Sequence, residues 1–177
     1  MVPFYEIIPL KKFRKTNKVS FYNVPIVNDL KAIDLVIHEE SAFSPGKVGN
    51  VERPWYYHPS QIDNLFVTFG TRIVDLYKIG ESDNIITFKV TPNSISQIFY
   101  SPDGNIEKEN LLIDEPSILK WNTKVFHRVE TGKQGSASVN LAAHLDGFDI
   151  KTNFNVYSLD IKNQTFEVLR QGFKDQM

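Results

Sequence analysis

The sequence predicts an all-β fold in a single domain, either a sandwich or a closed barrel. Aromatic residues make up 12% of the chain, including 13 Phe, and aromatic and β-branched side chains favour strands. From Trp55 onward, short apolar runs alternate with turn residues, and few stretches have a helical period. A length of 177 residues suits one domain, and 41% hydrophobic residues supply a packed core.

The first 30 residues are predicted to form an irregular N-terminal arm. They mix short apolar pieces with a basic cluster of Lys and Arg between residues 11 and 18. We interpret this cluster as a solvated face rather than a phosphate-binding arm, because the whole chain carries a formal net charge of −1. Residues 27–40 have a mixed periodicity, which is compatible with a short helix or a strand.

The clearest local signal predicts a β-hairpin in residues 65–77. Residues 65–69 and 72–77 are short apolar segments rich in β-branched and aromatic side chains. The pair Gly70-Thr71 between them fits a two-residue turn with glycine first. Further strands are predicted at IITFKV, LLID, KVFHRVE, ASVNLAA, FNVYSLD and TFEVLR, and a plain turn is predicted at GKQGS, residues 132–136.

Composition excludes several classes of site. The chain has no cysteine, so disulfides, thiolate metal sites and cysteine nucleophiles are absent. A net charge of −1 gives no field that would attract nucleic acid or an anionic membrane. The N-terminus lacks a signal-peptide core, and no apolar run approaches the roughly 20 residues of a membrane helix. We therefore expect a soluble cytoplasmic protein with neither nucleic acid nor membrane as a partner.

Two histidines occur in separate β-rich segments. His58 begins the order H-P-x-Q-x-D-N, which leads into the apolar glycine hairpin, and His127 follows far downstream in FHRV. This order resembles the cupin superfamily. The resemblance implies a cupin-like double-stranded β-helix, or jelly-roll barrel, over about residues 35–160, after the arm of residues 1–30. In that superfamily, three histidines and a glutamate commonly hold one divalent metal inside the barrel.

The first cupin motif fits this chain in two registers, which differ in the role of His58. If His58 is the first histidine of the motif, the second position is Ser60 and the acidic position is Asn64. The local pattern HPSQIDN favours this register.

In the other register, His58 is the second histidine of the motif. Tyr56 then takes the first position, Asp63 the acidic position, and Gly70 the hairpin glycine. The spacing favours this register, and the sequence leaves both open. The second motif also departs from the family: Asn122 and Lys124 replace the expected Pro and Gly, and Thr131 replaces the later Asn.

His58 and His127 are the best candidates for metal ligands, with Asp63 as a third. Neutral imidazole and carboxylate suit Fe, Zn, Ni or Mn, and three ligands leave open positions for a substrate. The alternative is a pair of pocket histidines that are hydrogen-bonded to neighbours. Tyr56, Gln61, Arg72 and both histidines are the predicted ligand-binding residues; an arginine fork suits a carboxylate or phosphate.

Other polar residues are weaker candidates. Arg128 should point away from the face that His127 uses, because side chains alternate along a strand. Arg72 could equally be a surface partner between strands. His38 and His144 are adjacent to carboxylates and are predicted to lie on the surface.

Three functions remain open. The first is a binding protein for a small polar metabolite, a sugar or a carboxylate. The second is a metal-dependent enzyme, or one based on His and either Tyr56 or Tyr57, acting as a sugar isomerase, epimerase or oxygenase. The third is a structural barrel without an active site. Barrels of this kind often pair, so we expect a homodimer.

Overall fold

The computed structural model describes residues 3–175, in which almost every regular element is a strand. The strands are β1 (Tyr5–Pro9), β2 (Lys11–Lys15), β3 (Ser20–Asn23), β4 (Leu30–His38), β5 (Phe43–Ser44), β6 (Trp55–Tyr57), β7 (Gln61–Tyr77), β8 (Ile86–Val90), β9 (Ile95–Tyr100), β10 (Ile106–Ile113), β11 (Ser117–Trp121), β12 (Phe126–His144), β13 (Val156–Asp160) and β14 (Thr165–Arg170). A short helix α1 (Ile150–Asn153) and a 3-10 turn (Gly172–Asp175) complete the elements. The all-β prediction is confirmed. Within the described residues, no helix is both long and apolar enough to cross a membrane.

Two long strands, β7 and β12, pair antiparallel along most of their length and organise the main sheet. Where residues 72–77 pair with 126–131, the sheet extends through β8, β9 and β10 on one side and through β6, β13 and β14 on the other. Where residues 61–70 pair with 136–144, it extends through β11 and β1 on one side and through β4 on the other. Side chains from both halves line one interior cavity.

Both long strands bend at a glycine, and this bend replaces the predicted hairpin. β7 continues through Gly70 and Thr71 without reversing, so the two-residue turn is wrong. The turn predicted at residues 132–136 is also wrong, because these residues belong to β12. Gly70 has φ +71°, and a Cβ there would lie 2.2 Å from the carbonyl oxygen of Gly135. The two glycines therefore allow close backbone contact at the bend.

The bend also changes which residues face the interior. In β7, Asp63 and Leu65 line the cavity before the bend, whereas Arg72 lines it afterwards. In β12, the interior positions change from His127 on one side of the bend to Ser138 on the other. The pairing register shifts between residues 131 and 136, and such an irregularity inverts the two-residue alternation of a strand.

Three apolar clusters support the cavity. The largest consists of Phe4, Leu65, Val67, Val74, Leu76, Phe88, Val90, Ile95, Leu119, Trp121, Val125 and Val129. Three of its members, Leu65, Trp121 and Val129, also border the cavity, so well-packed residues hold one side of it. A second cluster, formed by Trp55, Tyr77, Phe126 and Tyr157, packs against the β13–β14 hairpin through Phe166. A third contains Leu10, Ile118 and Leu141.

The N-terminal region is more regular than the sequence indicated. β1 pairs with β11 from Tyr5 opposite Trp121 to Pro9 opposite Ser117. β2 and β3 form a separate two-stranded hairpin, and the basic side chains of β2 are exposed. Residues 30–38, which the sequence left between helix and strand, form β4 and pair with β12.

Candidate functional site

The interior cavity has a volume of about 390 Å³. It lies between the halves of the sheet, with walls from β4, β6, β7, β11 and β12 and from residues 148–154. All six residues that the sequence predicted to bind a ligand or metal line this cavity: Tyr56, His58, Gln61, Asp63, Arg72 and His127. Residues 71 positions apart in the chain, such as Tyr56 and His127, therefore share one pocket because β6 pairs with β12.

His58, Asp63 and His127 form a compact, buried group. Each offers one donor atom, and these atoms all lie within 4.8 Å of one another. The two imidazole rings are 4.6 Å apart between centroids, and His58 Nε2 is 3.7 Å from Asp63 Oδ2. Each of the three residues has an exposed fraction of 5% or less. The group resembles the donor set of a metal site with two histidines and one carboxylate.

Backbone carbonyls fix the orientation of both rings. His58 Nδ1 lies 2.6 Å from the carbonyl oxygen of Asn153, and His127 Nδ1 lies 3.2 Å from that of Val125. A carbonyl oxygen can only accept, so each Nδ1 carries the proton and donates. Nε2 of each ring is then the nitrogen left for the cavity. Metal-binding histidines usually make such a second hydrogen bond, which fixes tautomer and ring orientation.

Amide side chains hold Asp63 in place. Gln61 Nε2 and Asn140 Nδ2 each donate to Asp63 Oδ1 at 2.7 Å, and Asn153 Nδ2 donates to Gln61 Oε1 at 2.8 Å. Asp63 Oδ2 is buried and has no hydrogen-bond partner among the described residues. One carboxylate oxygen is thus saturated, while the other is free to interact with a bound group.

Burial and mutual charge set the protonation of the cluster. Burial raises the pKa of Asp63, but the neighbouring His58 and His127 and the hydrogen bonds from Gln61 and Asn140 lower it by more. The pKa of Asp63 therefore lies below the ordinary value of an aspartate. Burial, and then repulsion from His58, lowers the pKa of His127 to about 4. At neutral pH the cavity therefore holds an ionised carboxylate next to a neutral imidazole of His127.

The structure selects one of the two registers for the first motif. Tyr56 and Asp63 line the cavity together with His58, as the second register requires. Asn64 instead faces away and donates through Nδ2 to the carbonyl oxygen of Leu141 at 2.8 Å. Tyr57 does not line the cavity; it packs on Phe126 in the second apolar cluster, so its suggested role as an acid is wrong.

The opposite part of the cavity contains residues that the sequence placed on the surface. His38 is buried and lines the cavity from β4, so its surface assignment is wrong. Arg72 is buried rather than a surface partner between strands. His144 is half-buried, lines the cavity and stacks on Phe148 with ring centroids 3.6 Å apart. Arg128 points away from the cavity, as predicted, and stacks on Trp55.

Several cavity residues were missed by sequence reasoning. Trp121, Ser138, Asn140 and Asn153 carry no motif, and they reach the cavity or its supporting network only through strand pairing and the helix α1. Four residues that line this cavity each have a buried polar atom without a hydrogen-bond partner in the described part of the chain: His38 Nδ1, Asp63 Oδ2, Trp121 Nε1 and Ser138 Oγ. Unsatisfied buried groups are costly and point to a bound ligand, ion or water.

A larger concave region of about 860 Å³ lies on the other face of the sheet. Its charged groups are paired with one another: Arg128 Nε donates to Asp75 Oδ2 at 2.8 Å, and Arg53 contacts Glu130 at 2.6 Å. None of the four partnerless buried atoms belongs to its lining. Size alone would favour this region, but the chemistry favours the interior cavity.

Comparison with known proteins supports the fold. No protein-family model matches the chain, and no curated protein matches it by sequence. QdtA, a sugar 3,4-ketoisomerase from Thermoanaerobacterium thermosaccharolyticum solved with TDP, has a TM-score of 0.50 and 14% identity, covering 84% of this chain and 85% of that chain. A double mutant of QdtA, also with TDP, has a TM-score of 0.51 and 14% identity over the same shares of 84% and 85%.

A third solved structure has the same architecture. The WlaRB TDP-quinovose 3,4-ketoisomerase from Campylobacter jejuni has a TM-score of 0.50 and 13% identity, covering 82% of this chain and 87% of that chain. These proteins have the RmlC-like cupin fold, so the predicted cupin jelly roll is confirmed. Identity at this level establishes the fold alone.

Proposed function

We propose that this protein binds a small polar metabolite, a sugar or a carboxylate, in the interior cavity beside one divalent transition metal. The convergence of His58, Asp63 and His127, with donor atoms within 4.8 Å of one another, is the observation that supports this most. The cavity volume of about 390 Å³ is in the range of small-molecule sites. The partnerless buried atoms around it would gain hydrogen bonds from such a ligand.

His58, Asp63 and His127 have the chemistry to hold Fe, Zn, Ni or Mn. Backbone carbonyls occupy Nδ1 of both rings, so His58 Nε2, His127 Nε2 and Asp63 Oδ2 are the atoms that would bind the ion. Asp63 Oδ2 is buried without a hydrogen-bond partner among the described residues, and a cation bound there would interact favourably with the carboxylate. A bound divalent ion would act as a Lewis acid that polarises a carbonyl or hydroxyl of the ligand.

The surrounding residues position this group and shape the pocket. Gln61 and Asn140 occupy Asp63 Oδ1, so the carboxylate is held with Oδ2 directed at the histidines. The ring of Tyr56 lies 5.9 Å from that of His127 and 6.4 Å from that of His58, which places an aromatic face beside the cluster. The ring of Tyr56 can pack against the apolar face of a sugar.

Elemental analysis of the untagged protein, grown with added transition metals, tests this proposal. We expect about one equivalent of metal per chain, lost in His58→Ala, His127→Ala and Asp63→Asn. His144→Ala is the matched control, since His144 lines the same cavity but lies outside the cluster, and it should retain the metal. Circular dichroism confirms that each variant is folded. Metal content at background in the unmodified protein, with no rise in Tm on addition of any of the four ions, would refute the metal site.

A metal-free keto-sugar isomerase is the second candidate, and the fold comparison favours it. QdtA and WlaRB, both described as 3,4-ketoisomerases, share the architecture with TM-scores of 0.50. Such an enzyme would move a proton at the carbon next to a carbonyl, using a histidine or Asp63 as the base. The lowered pKa of His127, about 4, makes that imidazole a weak base at neutral pH, which is why we rank the metal site first.

Incubation with TDP-4-keto-6-deoxyglucose in deuterated water separates the two candidates. Incorporation of deuterium next to the carbonyl by metal-stripped protein, lost in His58→Ala, would support the isomerase. Activity that appears only when metal is restored would support the metal site. No exchange in either form would leave the metabolite-binding function, tested by a thermal-shift screen of sugars and carboxylates.

A further inference from the structure

Arg72 is a buried cation without a counter-ion. Its exposed fraction is 3%, and no carboxylate among the described side chains lies within ion-pairing distance of it. Burial lowers the pKa of Arg72 to about 10, and no acidic group offsets this effect. The guanidinium remains charged at neutral pH, so the fold carries the cost of an unpaired buried charge.

The hydrogen bonds of Arg72 fix its direction but do not use all of its donors. Nε donates to Ser136 Oγ at 3.0 Å, and Nη2 donates to the carbonyl oxygen of Val36 at 2.9 Å. Within residues 3–175, nothing accepts from Nη1. Since Arg72 lines the cavity, a bound acceptor can reach the free part of the fork.

Two further polar side chains of the cavity lack partners. His38 Nδ1 and Ser138 Oγ are buried without a hydrogen-bond partner in the described part of the molecule. His38 lies opposite Ser136 in the pairing of β4 with β12, and Ser138 lies opposite Val36, the residue whose carbonyl oxygen holds Arg72. The three side chains therefore belong to one region of the cavity wall, apart from the His58–Asp63–His127 cluster.

The charges of the cavity decide what kind of anion fits. Arg72 is the one Lys or Arg among the described residues that line it, and Asp34 and Asp63 are acidic. A carboxylate carries one negative charge, which the guanidinium can pair through two parallel hydrogen bonds. In the metal-free cavity, the diphosphate of a nucleotide sugar, with about two negative charges, would exceed the single charge of Arg72 and leave one charge buried without a partner.

Resting on the proposed function of this cavity, we infer that its ligand carries a carboxylate bound by Arg72, Ser138 and His38. The ligand is thus a keto acid or a sugar acid rather than a nucleotide sugar. Its carboxylate lies against Arg72, and its carbonyl or hydroxyl groups reach towards His58, Asp63 and His127. A matching neutral compound lacks the group that compensates the buried guanidinium.

Matched pairs of ligands test the carboxylate. We use acetate against acetamide and glucuronate against glucose, each followed by calorimetry and thermal shift with metal-stripped protein. The acid of each pair should bind at least ten-fold more tightly than its neutral partner. Arg72→Met should weaken binding of the acids at least ten-fold, and Ser138→Ala about five-fold, the effect of one neutral hydrogen bond. Lys133→Met, an exposed change, is the control and should alter nothing.

The stability of the ligand-free variants separates binding from folding. Because Arg72 is an uncompensated charge and Ser138 Oγ has no partner in the described structure, neither Arg72→Met nor Ser138→Ala should lower Tm by more than a few degrees. Equal affinity for acid and neutral compounds, or acid binding that survives Arg72→Met, would overturn the carboxylate assignment. Tight binding of TDP that depends on Arg72 would also overturn it.

The failure of the carboxylate assignment can be told apart from failure of the proposed function. Binding of neutral sugars that is lost in His58→Ala but unchanged in Arg72→Met leaves the cavity as the ligand site and removes only the carboxylate. No change in any binding with His58→Ala and Arg72→Met removes the cavity itself. Acetate that binds only when metal is present, and not in His58→Ala, would place the anion on the metal instead of on Arg72.

An independent observation concerns the outer face of β4. Ile33, Leu35 and Ile37 are 66%, 67% and 70% exposed, although they form a continuous aliphatic row. β4 pairs only with β12 among the described strands, which leaves its other edge open. An open, apolar edge strand is a template for pairing with another chain.

The sequence of this row is self-complementary. Lys31 precedes the three aliphatic residues at the next odd-numbered position, and Glu39 follows them directly after the end of β4; both are exposed. An antiparallel copy of β4 centred on Leu35 places Ile33 against Ile37 and Lys31 against Glu39 of the partner subunit. We propose that β4 pairs with β4 of a second copy in this register, forming a two-fold symmetric dimer.

A charge exchange tests both the dimer and its register. Sedimentation velocity should show a dimer for the unmodified chain and a monomer for Leu35→Asp. Lys31→Glu and Glu39→Lys should each raise the dimer Kd about ten-fold, because each places like charges opposite each other twice, and the double variant should restore dimerisation. Leu111→Asp on the edge strand β10, which is 59% exposed, is the control and should leave the dimer intact. A monomeric unmodified chain, or a double variant no better than the single ones, would overturn the proposal.

Discussion

Protonation of His38 is expected to lower the free energy of unfolding by about 1.5 kcal/mol when the pH falls from 6.5 to 5. Burial, and then the charge of Arg72, lowers the pKa of His38 from 6.5 to about 4. The unfolded chain takes up this proton near pH 6.5, whereas the folded protein does so only near pH 4. Between these values the unfolded state binds more protons, so the stabilisation present above pH 6.5 is lost as the pH falls. Over the whole interval the loss amounts to ~3 kcal/mol.

Urea unfolding at pH 6.5 and pH 5 measures this effect, with His38→Gln as the comparison. Other ionisable side chains line the same cavity, namely Asp34, His58, Asp63, Arg72, His127 and His144. Their contributions largely cancel when the pH dependence of the variant is subtracted from that of the unmodified protein. The difference should be about 1.5 kcal/mol, with the variant less sensitive to acid. Identical pH dependence in both proteins would show that His38 titrates normally and would refute the reasoning.

Two further predictions concern the fold. Gly70→Ala should lower the free energy of unfolding by more than about 3 kcal/mol, because a Cβ would lie 2.2 Å from Gly135 O. Gly49→Ala is the control: with φ +57° and nothing within 4 Å of the added Cβ, it should cost about 1 kcal/mol. Equal losses for the two variants in thermal unfolding would contradict the bend. Arg128→Met should lower the free energy of unfolding by about 2 to 4 kcal/mol, because it removes the arginine that lies 2.8 Å from the buried Asp75 carboxylate. Arg14→Met, at an exposed position, is the control, and an equal loss in both variants would contradict this prediction.

Much of the fold could be predicted because strand signals are local. Alternating apolar residues predicted the segments that became β8, β12, β13 and β14, and the same alternation placed His127 and Arg128 on opposite faces. Gly70 was misread because a glycine with positive φ serves a hairpin turn and a bend in a long strand equally well. Only the pairing of both halves of β7 with β12 distinguishes these cases, and that pairing is not local.

The candidate site could be predicted only in part. The order of the motifs identified His58, Asp63 and His127 as candidate ligands, and their donor atoms do lie within 4.8 Å of one another. Arg72 was predicted as a ligand-binding residue, with a surface position between strands as the alternative. The sequence could not decide between them, because the bend at Gly70 inverts the alternation that Asp63 and Leu65 follow. His38 was assigned to the surface from its acidic neighbours, but the face it occupies is set by pairing of β4 with β12.

The two proposals for the cavity are linked by its charge. His38 and His127 are neutral near pH 7, because their pKa values are lowered to about 4. The positive charge of a divalent ion on His58, Asp63 and His127 would therefore exceed the negative charge of Asp63, and the guanidinium of Arg72 adds to this excess. A ligand carboxylate reduces this excess in a setting where Coulomb interactions are stronger than in water. Metal should therefore tighten acetate binding, and acetate should tighten metal binding by the same factor. Calorimetry of acetate with metal-loaded and metal-stripped protein measures that factor; a value of one would mean that the carboxylate and the metal occupy the cavity without influencing each other.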